Sequence, residues 1–122
     1  MAVDPKLALS AVEVEMIRDL RSRMNRRAVS PQAAATLGGV VYKACARWGI
    51  DPNATPISLT PAEVVAAAAE ADLARLSQIA RGLEDYRQSA PTRWPHAVAA
   101  GAPQSILTRR LVLAGREAPK SE

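Results

Sequence analysis

At 100° per residue, Leu9, Val12, Met16, Ile17, Leu20 and Met24 fall on one face of a helix, and this spacing predicts a first helix over residues 10–25. Ser10 supplies its start: the hydroxyl is placed to accept from the Glu13 amide while the Glu13 carboxylate reaches back, and Leu9 and Val14 are spaced for a hydrophobic staple. Arg18, Arg21 and Arg26 point away from the apolar face, whereas Arg23 and Arg27 project toward it. That conflict fits a helix ending near Asn25, or a last turn that runs past the core and lets the two arginines curl to solvent.

A second helix is predicted over residues 31–48. Ser30 caps it and Pro31 sits in the first turn, where a missing amide hydrogen costs nothing. Ala34, Leu37, Val41, Ala44 and Trp48 repeat in steps of three and four, with Gln32, Thr36, Lys43 and Arg47 opposite. Gly49 supplies a left-handed stop, and the interior Gly38 and Gly39 imply close packing or a break. Residues 51–59 read as a connector, after which Thr60, Pro61 and Glu63 form the strongest helix boundary in the chain. The pattern then runs unbroken over 61–87, about 39 Å at 1.5 Å per residue, with Val65, Ala69, Leu76, Ile79, Ala80 and Leu83 on one face. Asp72 lies within that face; a carboxylate there needs an arginine, a capped amide, or a place beyond the core's edge.

Pro91, Pro95, Gly101 and Pro103 leave room for one short turn near His96 to Ala100, and Ser105 to Ala114 is either a short helix or an extended element. The reading is therefore all-α: a small bundle of three principal helices with a short C-terminal element. It places one domain over residues 10–115, an N-terminal tail over 1–9 and a mobile tail over 116–122.

Composition narrows the picture. The chain has 122 residues, enough for one core but not for a catalytic domain plus a binding domain. Aromatics are 3% and Phe is absent, so the core rests on aliphatic residues and alanines that let helices pack closely. A lone cysteine, Cys45, excludes an internal disulfide, and no apolar run approaches the roughly 20 residues that span a bilayer. The expected location is the cytoplasm, without a membrane anchor.

Catalytic chemistry finds little to build on. His96 is the sole histidine and has no Cys, Asp or Glu at ligand spacing, so no metal site is expected. Cys45 lies on a packed helix face and reads as an inert buried thiol. Glu63 is a cap, while Glu70, Glu84 and Asp85 line a solvated face rather than converging. The expectation is a non-enzymatic protein without cofactor.

Charge is the one pointer to a partner. Between Arg18 and Arg47 stand seven basic residues against Asp19 alone, although the whole chain carries only +4. Arg18, Arg21, Arg26, Lys43 and Arg47 are the candidate phosphate contacts, and duplex DNA is favoured over single strands because stacking aromatics are scarce. The competing reading is a solvated helix face whose arginines pair with acids such as Glu15 and Asp19.

The stretch Ser30-Pro31-Gln32-Ala33-Ala34-Ala35, through Leu37-Gly38-Gly39-Val40 to Arg47-Trp48, partly resembles the helix-turn-helix of excisionase-like and repressor proteins. An alanine pair, a turn glycine and a closing Arg-Trp recur in those families, and the resemblance implies a second helix entering the major groove. The chain departs from them at Val40-Val41-Tyr42, where such motifs place short polar residues, and its apolar face across Gly38 and Gly39 favours one continuous helix.

The expected function is thus a small DNA-associated accessory or regulatory protein, oligomeric, with the basic patch on phosphates. The alternative is an adaptor or inhibitor that binds another protein through the long third helix and a loop-borne Trp94, a residue that reads either as an exposed anchor or, by the stronger expectation, as a tryptophan covering the core.

Overall fold

The computed structural model describes residues 5–25 and 31–117. Arg26, Arg27, Ser30 and the last part of the expected tail lie outside those residues. Within them the chain is all-helical, a bundle of six α-helices.

The first, α1 (Ala11–Met24), starts as the sequence requires: the Ser10 hydroxyl accepts from the Glu13 amide at 3.2 Å and the Ser10 amide donates to the Glu13 carboxylate at 3.1 Å. Helix α2 (Pro31–Cys45) continues into a 3-10 turn, Ala46–Trp48, and stops at Gly49 with φ 84°. There is no turn at Gly38 and Gly39, so this segment is not a helix-turn-helix. Gly38 instead lets another element approach: a Cβ there would lie 2.6 Å from Trp94 Cζ2 and 2.8 Å from Arg87 Cδ.

The predicted third helix is two helices, α3 (Pro61–Ala68) and α4 (Leu73–Ser89). Asp72 makes the break, because its carboxylate accepts from the Arg75 amide at 2.8 Å and so caps a new helix rather than facing a core. The capped-amide outcome resolves the misplaced carboxylate. It also explains why Val64 and Ala68 are buried while Val65 and Ala69 are exposed: the break resets the rotation that a continuous helix would have carried back from α4. The 51–59 connector lies against α4, where Ile57 N–H donates to Gln78 O and Asp51 N–H donates to the buried Ser77 hydroxyl. A Cβ on Gly82 would stand 1.8 Å from Ile57 O, so this approach requires glycine.

Two further helices follow, α5 (Trp94–Ala100) and α6 (Ala102–Leu113). The region read as irregular is thus helical, and the ambiguous 105–114 element is a helix near the centre of the bundle. Helix α6 packs on α1, α3, α4 and α5. Its Ile106, Leu107 and Leu111 are buried, each such side chain contributing about 1.5–3 kcal/mol of apolar transfer.

Contact with α6 sets the rotation of α1. Val14, Ile17, Leu20 and Met24 are buried, whereas Val12 and Met16, expected in the core, are 68% and 36% exposed. Residues expected as tails also pack: Leu9 is buried, Leu7 O accepts from Arg110, and Arg116 and Glu117 contact α1.

Candidate functional site

Rotation of α1 reassigns its arginines. Arg21, expected on the outer face, sits at the edge of the α1–α6 contact, and Arg23, expected toward the core, is exposed and pairs with Asp19 at 3.0 Å. Arg21 Nη1 donates to the Thr108 hydroxyl at 3.0 Å, and its two Nη atoms hold the Glu117 carboxylate at 2.8 and 2.9 Å. This fork-on-carboxylate geometry is the strongest ion-pair arrangement an arginine makes. Arg18 is exposed and its Nη2 donates to Arg116 O at 3.0 Å.

The expected phosphate patch is therefore dispersed. Arg18 and Arg21 are engaged by the segment after α6, and Arg26 lies outside the described residues. Lys43, on α2, and Arg47, in the 3-10 turn that follows it, are exposed, with no hydrogen bond or ion pair to another described residue. Trp94 is corrected too: it opens α5 rather than lying in a loop, is only 2% exposed, and donates from Nε1 to Ala34 O at 2.8 Å. Its ring fills the space that Gly38 leaves, so it is a core residue and no exposed anchor. With α3 and α4 separate, the long helix of the adaptor reading does not exist either.

Arg21 marks a cleft of about 420 Å³ between α1, α3 and the α5–α6 corner. A volume of this size holds a ligand group or a peptide side chain with its neighbours. Val65, Ala69 and Val112 supply apolar wall; Arg109, Thr108 and Gln104 supply polar groups. The spacing along α6 explains the grouping, since Ser105, Thr108, Arg109 and Val112 share the face opposite Ile106, Leu107 and Leu111. Arg109 Nε donates to Ala71 O at 2.7 Å, which satisfies a carbonyl freed where α3 ends and anchors the guanidinium at the cleft.

Gln104 is only 8% exposed. Its Nε2 donates to Val98 O at 2.9 Å and to Asn25 Oδ1 at 3.2 Å, which fixes the amide's orientation. Its Oε1 is buried with no hydrogen-bond partner among the described residues. An unpaired buried acceptor costs about 1–3 kcal/mol.

Elsewhere the reactive groups are held inert or scattered. The Cys45 thiol is buried, and desolvation, helped by the nearby Glu84 carboxylate, pushes its pKa up to about 12. Glu84 is engaged by Arg87 at 2.5 and 2.8 Å, and the same hydrogen bond raises the Arg87 pKa. His96 is exposed on α5. Among the described residues no three His, Cys, Asp or Glu side chains converge as a metal site would need, and no helix is long and apolar enough to cross a membrane.

Sequence reasoning missed Arg109 and Thr108 because the 105–114 element was ambiguous. Their signal was the Ser105, Thr108, Arg109, Val112 stripe at helical spacing. Compared with protein-family models, with curated proteins and with solved structures, the chain matches none.

Proposed function

We propose that this chain is a small non-enzymatic binding module that recognises an acidic peptide segment of a protein partner in the cleft between α1, α3 and α6. The carrying observation is the convergence of Arg21, Arg109 and Thr108 on one partly apolar cleft, with Arg21 already gripping a carboxylate in bidentate fashion. Carboxylate recognition by a planar guanidinium is directional, and the apolar wall of Val65 and Val112 suits the chain on either side of an acidic residue. This keeps the adaptor class expected from sequence but moves its surface away from Trp94 and the third helix.

Fluorescence anisotropy with a labelled peptide of alternating Glu and Ala tests it. The Glu peptide binds, its Gln counterpart does not, and Arg21→Gln weakens binding about tenfold, the size of one charge-assisted bidentate contact. Equal binding of the Glu and Gln peptides would contradict it.

Duplex DNA is the second reading, favoured by Lys43 on α2 and Arg47 in the 3-10 turn after it, which are exposed and unengaged among the described residues. It predicts micromolar duplex binding whose log affinity falls with log salt by about two units, one per phosphate contact, and vanishes in a Lys43→Glu, Arg47→Glu variant.

A further inference from the structure

The seat that a partner's carboxylate would take is occupied by the chain itself. Glu117 belongs to the segment that leaves α6, and both of its carboxylate oxygens lie on Arg21. Arg116 N–H donates to Leu111 O, Arg116 O accepts from the exposed Arg18, and Arg116 Nη2 donates to Leu9 O in a part-buried contact, while the Arg21 and Glu117 side chains keep 22% and 28% of their exposure. The pair is part-exposed, so a second carboxylate can reach Arg21 and compete for it.

We infer that Glu117 is a resident competitor: the chain holds its own acidic residue in the cleft, and an acidic segment of a partner binds by displacing it. This rests on the cleft being the partner-binding site. The Arg21 contact returns in kind, carboxylate for carboxylate, while the partner adds apolar contact with Val65. Self-occupancy reduces apparent affinity by the fraction of molecules in which the seat is free.

Two measurements on the full chain test it. In anisotropy titrations with the Glu/Ala peptide, Glu117→Gln binds three- to tenfold more tightly than wild type, the range that a part-exposed ion pair allows. In limited trypsin digestion, Arg21→Gln, which leaves the sequence around the Arg116–Glu117 bond untouched, is cleaved after Arg116 faster by a similar factor while its melting temperature stays within a few degrees of wild type. Equal peptide affinity of wild type and Glu117→Gln, with Arg21→Gln weaker than both, would overturn self-occupancy and leave the cleft as the binding site. Peptide affinity indifferent to Arg21 would overturn both readings. An unchanged cleavage rate in Arg21→Gln would show that Glu117 does not hold the segment, and would overturn the competitor role alone.

Discussion

Arg110 and Arg21 illustrate two kinds of region built from the same side chain. Arg110, on α6, is 1% exposed, and the acceptors it reaches are backbone carbonyls: Trp48 O from Nε at 2.5 Å and Leu7 O from Nη1 at 2.8 Å. Desolvation pushes its pKa down, countered in part by the more distant Glu13, yet a guanidinium remains charged. It ties the N-terminal 3-10 turn and the end of the α2 segment to the central helix, and nothing can replace those carbonyls short of unfolding. Arg21, on α1, holds a side-chain carboxylate and a hydroxyl at the rim of a cleft. A carboxylate on a short segment is exchangeable for another carboxylate. Position in the fold, rather than residue type, separates the structural cation from the recognition cation.

That contrast predicts effects of very different size. Arg110→Ala is the most damaging change, expected to cost about 3 kcal/mol or more in urea unfolding, because it opens a cavity and strands one buried and one part-buried carbonyl. A cost below about 1 kcal/mol would place Arg110 among the exchangeable cations. Gly38→Ala comes next, at about 1–3 kcal/mol, since the new methyl meets the Trp94 ring at 2.6 Å; Gly39→Ala, whose nearest contact is Arg87 Nη2 at 3.7 Å, is neutral or stabilising by up to about 1 kcal/mol. Urea unfolding of the pair in parallel separates close packing from helix propensity.

Arg21→Gln inverts the pattern. Stability changes by less than about 1 kcal/mol, as expected for a part-exposed pair, while affinity for an acidic peptide falls about tenfold. A large loss of stability would make Arg21 a second Arg110.

The smallest effect concerns Glu63. Its carboxyl is held below its ordinary value of 4.5, first by the Thr60 amide and then by the Thr60 hydrogen bond to its side chain. A depressed folded-state pKa means that the unfolded chain takes up the proton more readily, so this contribution is complete above about pH 4.5 and fades as pH falls below it. Glu63→Gln therefore flattens the acid side of the melting curve without altering cleft binding. A variant that melts with the same pH dependence as wild type between pH 3 and 6 would refute the capping contribution.

The parts of this fold that sequence discloses are those set by local chemistry. Ser10 with Glu13, Thr60 with Glu63 and Gly49 each act within one turn, and each stands where spacing put it. What stayed hidden depends on partners far along the chain. Val12 with Met16 and Val14 with Arg21 define two equally helical faces for α1, and α6 selects the second. Asp72 reads as a misplaced charge when the helix is taken as continuous and as a cap once it is not. The cleft was the least visible feature, since Arg21 and Glu117 are separated by 96 positions and Thr108 and Arg109 sat in an element of ambiguous type. The basic cluster was real as composition, but its grouping in space follows from packing that no local rule specifies.

The most direct test of the central claim is a nitrogen-resolved NMR titration of the full chain with the Glu/Ala peptide. The account predicts shifts concentrated at the Arg21 and Arg109 side-chain N–H groups, the Gln104 amide and the backbone of Thr108, accompanied by the Glu117 resonance moving toward that of an unengaged segment. Shifts centred on Lys43 and Arg47, or none at the cleft under saturating peptide, would contradict it.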